Sequence, residues 1–198
     1  MGVEFKDLIR QWVHSDYIKP EDVPEIELYM DQVTTFMDSH IGKTFNASDE
    51  KILTKTMINN YTKNALIPPP NKKKYTKNHI FLLIYIYYFK NVLSISNIQC
   101  LLKPMTDQFF EAGKEEAINF SSIYGNIMNG ILEHHQRIKE NIDETLEFAK
   151  QIFAEDEGID NQYLNDFAMI CLLSYDVFLR KRLVEQMIEN LYKPEDKK

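Results

Sequence analysis

The amino-acid sequence predicts an all-α protein with at most a very short β-wing, arranged as a winged helix-turn-helix followed by a helical bundle. Three observations carry that expectation. Glycine and proline are scarce, 6 and 7 in 198 residues, which leaves little of the punctuation a turn-rich β fold needs. Apolar residues recur at three- and four-residue intervals along most of the chain, the spacing of one helix face. A hydrophobic content of 44%, with 12% aromatic, suffices for a core in a chain long enough for one sizeable domain or two small ones.

The elements follow in order. Phe5–Val13 reads as a short amphipathic helix with Phe5, Leu8, Ile9 and Trp12 on one side. Ser15–Pro24, with two prolines, reads as a linker or turn. Ile26–Ile41 places Leu28, Met30, Val33, Phe36, Met37 and Ile41 at helical spacing, and Gly42–Asp49 is a loop. Leu53–Leu66 is the next helix, with Thr54 as its N-cap and Met57, Ile58, Tyr61 and Ala65 as its apolar stripe. Pro68-Pro69-Pro70 cannot continue a helix and would end it. Asn71–Tyr75 is a short basic turn, Asn78–Asn91 a strongly apolar helix, and Ser94 or Ser96 caps a further helix through Leu102.

Beyond Pro104 the chain changes character. From Ile118 to Phe153, apolar residues at mostly four- and seven-residue spacing predict one long helix, or two joined near Gly125–Gly130. Glu155–Asn161 is a break, and Tyr163–Leu191 is a final helix or helical pair, apolar on more than one side. This implies an N-terminal module of residues 1–104 and an all-helical module of residues 105–198. Within the second, Ile131, Ile138 and Thr145, flanked by Ile127, Ile142 and Leu146, suit a dimer interface, with the last helix as the other candidate. Its aromatic residues and their neighbours (Phe109, Phe110, Phe120, Tyr124, Phe148, Phe153, Tyr163, Phe167) are either core or the lining of a small-molecule effector pocket.

Charge is distributed unevenly. The net charge is −7, which by itself disfavours a nucleic-acid partner. Yet residues 51–106 hold nine Lys (51, 55, 63, 72, 73, 74, 77, 90, 103) and no Asp or Glu, so this block is +9 while the rest sums to −16. A field of one sign over one subregion suits a polyanion-binding surface. The alternative is a basic patch that pairs with the acidic remainder of the same chain. Met1–Trp12 mixes charges and has no apolar stretch, unlike a signal peptide. The apolar run Ile80–Phe89 is roughly half of the ~20 residues a membrane span requires. A cytoplasmic protein without a membrane partner is the expectation. Cys100 and Cys171 have no CxxC spacing and read as reduced thiols of the core.

Several of these segments resemble a family. Leu53-Thr54, Met57-Ile58-Asn59-Asn60-Tyr61, Leu66-Ile67-Pro68, Lys72-Lys73-Lys74-Tyr75 and Leu93-Ser94-Ile95-Ser96-Asn97-Ile98 resemble, in sequence order, the DNA-binding half of MerR-type winged-helix regulators. The likeness is tight over about a quarter of the chain. The whole chain also resembles a Gram-positive bacterial family known as a domain of unknown function with a MerR-like N-terminal half. The pattern departs at Asn59-Asn60, where the regulators carry Arg-Tyr, at Ala65, where they carry a helix-ending glycine, and in a short wing without a glycine turn.

The resemblance implies a dimeric, sequence-specific regulator binding double-stranded DNA. The residues themselves allow the same chemistry. Asn can pair bidentately with adenine and Lys with guanine in the major groove, so Lys55, Asn59 and Asn60 are candidates for reading bases, with Thr54, Thr56 and Lys63 on the same helix. Lys72, Lys73, Lys74 and Lys77 would hold phosphates, and Tyr75 would pack under the wing or reach the backbone. The bland alternatives are a solvated turn and ordinary helix-surface polarity. A second function class is a protein–protein adaptor that binds an acidic partner on the same scaffold. Nothing reads as catalytic, and no cofactor is expected. There is no nucleophile elbow, phosphate loop or HExxH, and the adjacent His134 and His135 point about 100° apart on a helix, a poor start for a metal site.

Overall fold

A computed structural model of the chain describes residues 17–45, 52–111, 116, 118–154 and 161–192. The expected helix Phe5–Val13 and the break over 155–160 lie outside the described residues, as does the loop over 46–50. The described chain is helical apart from one two-stranded ribbon, so the all-α expectation with a very short β element holds. The order is β1 (Leu28–Tyr29), α1 (Met30–Phe45), α2 (Lys55–Lys63), β2 (Lys74–Tyr75), α3 (Lys77–Phe89), α4 (Ile95–Phe109), α5 (Phe120–Ile152) and α6 (Asn161–Tyr192). Two compact units result; their described parts fall within residues 15–130 together with 188–192, and within residues 131–187.

In the first unit, Leu28 and Tyr29 form a strand rather than the start of a helix, pairing antiparallel with Tyr75 and Lys74. Helix α1 begins at once after them, because the Gln32 side chain turns back to accept the Tyr29 N–H at 2.8 Å, the N3-to-N-cap half of a capping box. Its buried face is Val33, Phe36, Met37 and Ile41, spaced as one helix stripe. The helix then runs on to Phe45, into the stretch expected to be loop.

Helix α3 is the hub. Residues 79–87 are all buried, so it is covered on every side, as a helix without a polar face must be. Phe81 stacks on Tyr124 at 4.3 Å between ring centroids, and Phe120 meets Phe110 edge-on at 6.1 Å. These four rings are buried in the core of the unit. The expected linker is also held down: the Tyr124 hydroxyl donates to the Ile18 carbonyl at 2.7 Å, and Tyr17 donates to Asn129. Gly125 lets that segment approach, since a Cβ there would stand 3.2 Å from the Pro20 ring.

Helix α4 starts at Ser94, whose hydroxyl accepts the Asn97 N–H at 3.2 Å. It does not stop at Leu102 but continues through Pro104 to Phe109. The Thr106 hydroxyl bonds the Leu102 and Lys103 carbonyls around that proline. The first unit carries on past Pro104 as far as Gly130. Helix α5 is capped by a reciprocal pair: Asn119 Oδ1 accepts the Ser122 N–H and Ser122 Oγ accepts the Asn119 N–H, both at 3.0 Å. It is one helix, unbroken at Gly125 and Gly130.

In the second unit, Ala149, Ala168 and Met169 form a small core, with Ile142, Leu146, Phe153, Leu172 and Leu173 packed against it. Helix α6 is single and unbroken. Both cysteines are exposed, contrary to the expectation that they lie in the core. No described helix is long and apolar enough to cross a membrane.

Candidate nucleic-acid interface

Helix α2 spans nine residues and is held at both ends. Thr54 is its N-cap, as expected, with Oγ1 accepting the Met57 N–H at 3.2 Å. The end differs from expectation: the helix stops at Lys63, before the prolines. The Leu66 N–H bonds the Tyr61 carbonyl at 2.9 Å and the Ala65 N–H bonds the Thr62 carbonyl at 3.1 Å. That 6→1 and 5→2 pair is a Schellman ending, with Ala65 at φ 52° where glycine is usual. Ala65 is therefore an exposed cap residue and not part of the apolar stripe, while Leu66 and Tyr61 are buried.

Ile58 and Tyr61 face the core. The opposite side presents Lys55, Thr56, Asn59, Asn60 and Lys63, all exposed, with no acidic residue on the helix. Asn59 carries no side-chain bond to another described residue, and the Asn60 carbonyl accepts from Asn64 Nδ2 at 2.8 Å.

The basic turn that follows is a tight β-turn. The Lys74 N–H returns to the Asn71 carbonyl at 2.8 Å, and Lys72 and Lys73 occupy its corners at φ 46° and 66°. Two successive left-handed residues define a type I′ turn, where Asn and Gly are favoured. The expected lack of a glycine turn is thus a lack of glycine only; the turn is made by lysines. Both are exposed.

The nine lysines of the acid-free block separate into groups. Lys51 lies outside the described residues. Lys90 is half-buried, donates to the Ile52 carbonyl at 3.2 Å and lies over the Tyr87 ring; burial lowers its pKa. Lys103 pairs with Asp107 on its own helix at 2.8 Å. Lys55 pairs with Asp31, Lys77 with Glu25 at 2.6 Å, and Lys74 stands 4.0 Å from Glu27. Lys63, Lys72 and Lys73 form no ion pair with a described residue. So the block is free of acid in sequence but not in space: residues 25–31 lay three carboxylates along it. The same strip joins Lys55 at the start of α2 to Lys74 at the base of the turn, bringing both to one side of the unit.

Tyr75 takes the first of its two expected places, packed under the turn: it is only 3% exposed and its ring meets His79 edge-on at 5.4 Å. One residue expected to hold phosphate does not face outward. Lys77 has a largely covered side chain, held between Glu25 and the Phe81 ring. The residue that sequence reasoning passed over is His79. Its Nδ1 accepts the Thr76 N–H at 3.0 Å and its Nε2 donates to the Pro68 carbonyl at 3.2 Å. This clasps the proline segment to the start of α3 and fixes a neutral ring. Burial outweighs the Pro68 carbonyl and brings its pKa down to about 4. A histidine three residues after a threonine N-cap, inside an apolar run, was the available signal.

Residues 18–127, more than half of the chain, match the family model described as a domain of unknown function (DUF1836). No curated protein and no solved structure shows a significant match. The chain belongs to the DUF1836 family.

Proposed function

We propose that this DUF1836 chain is a cytoplasmic, homodimeric regulator that binds double-stranded DNA through α2 and the lysine turn, in the manner of the MerR-type regulators it resembles. The observation that carries the reading is a helix α2 with no acidic residue of its own on the outer face, followed by a tight turn that projects Lys72 and Lys73 into solvent with no ion-pair partner among the described residues. Lys55, Asn59 and Asn60 are the base-reading candidates. Lys63, Lys72 and Lys73 supply phosphate contacts, which give affinity and salt dependence but no sequence information. Lys74 joins them once phosphate replaces Glu27, and Lys55 is free to reach a base once it leaves Asp31. Exposed pairs of this kind are worth about 1 kcal/mol or less, so the exchange costs little.

The test is fluorescence anisotropy with genomic duplexes, including the protein's own promoter region. One fragment is expected to bind at least tenfold tighter than random duplex at ~100 mM salt. Asn59→Ala should erode that preference, whereas Lys72→Ala with Lys73→Ala should weaken all duplexes alike and flatten the salt dependence by roughly two phosphate contacts. Equal binding to every fragment removes the sequence-specific reading.

One observation favours a second reading. The same face already accepts Glu25, Glu27 and Asp31, so an acidic protein segment could take their place and make the chain an adaptor. A partner retained after nuclease treatment, and kept by the Asn59→Ala variant, would select it.

A further inference from the structure

Helix α6 carries two apolar stripes on opposite sides. The inner one, Ala168 and Met169 with half-buried Leu172 and Leu173, packs into the core of the second unit. At 100° per residue, the outer one runs along Tyr163, Phe167, Ile170, Ser174, Val177 and Lys181. Its spacing alternates four and three, the 3.5-residue period that keeps a seam facing a partner helix. Phe178 widens it. Tyr163, Phe167, Ile170, Val177 and Phe178 are each more than half exposed, a contiguous patch of a size monomers rarely leave open.

We propose that this outer stripe is the homodimer interface, on which a second copy of α6 packs antiparallel. Charge decides the orientation. In the antiparallel register that layers Tyr163 on Lys181, Phe167 on Val177 and Ile170 on Ser174 of the other copy, Asp166 flanks the seam opposite the partner's Arg180. Lys181 then lies across a tyrosine ring, a favourable cation–aromatic contact. A parallel pair would instead bury Lys181 against Lys181 and leave Asp166 facing the partner's Cys171, with no basic residue across the seam. Among the described residues, Asp166 bonds Gln162 and Arg180 bonds Asp176, each four residues away on the same helix, bonds weak enough to exchange.

The area is adequate. Each of three rings offers roughly half of the 150–250 Å² an aromatic can bury. With Ile170 and Val177 the pair of helices buries on the order of 1,000–1,200 Å², the lower end of specific interfaces. The two-fold axis falls near Leu172 and sets exposed Cys171 on the same flank as its own mate.

The proposal deepens the homodimer in the reading above and rests on that part of it; it does not need DNA. Sedimentation of the full chain, without DNA, is expected to show a dimer at tens of micromolar. Ile170→Glu should weaken it at least tenfold while circular dichroism keeps its helicity. Arg180→Asp should weaken it, and Asp166→Arg in the same chain should restore it. In a Cys100→Ser background, a short bismaleimide should link Cys171 to Cys171. A monomer at these concentrations, or a dimer indifferent to Ile170→Glu, overturns the proposal. So does a stripe that becomes solvent-accessible only when residues 1–14 are removed, which would give the face to the chain's own N-terminus. A dimer that binds no DNA would sink the DNA-binding reading and leave this interface, and a DNA-binding monomer would sink this interface and the homodimer with it while leaving DNA binding.

Discussion

The unit within residues 15–130 and the unit within residues 131–187 bury their apolar residues very differently. In the first, α3 is enclosed on all sides and its rings stack in a continuous core that reaches from Ile18 to Met128 and takes in Ile188 from the end of α6. In the second, three small or flexible residues are fully buried, while Phe148, Phe167, Phe178 and Leu183 are each about half exposed or more. The first unit completes itself within its own chain. The second has helices of 33 and 32 residues feeding it and far more apolar surface than two helices can hide from water. The family match, which ends at residue 127, covers the self-sufficient part.

The largest expected effect tests that contrast directly. Phe81→Ala removes a fully buried ring from the hub helix and should cost about 3–5 kcal/mol in urea denaturation. Phe178→Ala, at concentrations low enough to keep the chain monomeric, should stay within about 0.5 kcal/mol. Similar losses from the two would erase the distinction.

An effect of about 3 kcal/mol should come from pH. His79 is neutral in the folded state, with its pKa lowered to about 4, whereas in the unfolded chain it titrates near 6.5. The unfolded state therefore takes up the proton first. Stability present above about pH 6.5 should fall as pH drops, by roughly 1.4 kcal/mol per unit, and level off near pH 4. His79→Gln should lower the neutral-pH stability and flatten this dependence over that window. A slope unchanged in the variant would assign the acid sensitivity to other groups.

Much of the first unit was legible because helices advertise themselves by period. Thr54 and Ser94 were readable as caps, and the exposed set Lys55, Thr56, Asn59, Asn60 and Lys63 follows from placing Ile58 and Tyr61 inward. What escaped depends on partners distant in sequence. A two-residue strand such as Leu28–Tyr29 has no period to detect and exists because Tyr75 and Lys74 pair with it. The charge block looked open because its carboxylates lie elsewhere in the chain, Glu25 being 52 residues from Lys77. Cys171 read as core because it borders a stripe that is apolar yet faces outward. Lys77 reads as a phosphate contact by adjacency to the other lysines, and only the fold shows its side chain largely covered.

The smallest effect concerns a helix end. Ala65 sits in the left-handed region at φ 52°, where a Cβ costs about 1–2 kcal/mol, partly offset by the freedom glycine gains on unfolding. Ala65→Gly should raise stability by about 0.5–1 kcal/mol in denaturant titration while leaving the surface of α2 as it is. A loss would mean that the Schellman geometry does not govern this end.

The lysine corner of the turn has a consequence for anyone who would engineer the protein. Lys72 and Lys73 pay a backbone penalty that Asn-Gly would remove, so a campaign selecting for heat resistance would converge on replacing them. It would yield a tougher protein stripped of two solvent-facing cations beside α2. Selection for ruggedness and selection for nucleic-acid affinity pull in opposite directions at these two positions, and a library scored on both would reveal the conflict as a trade-off front.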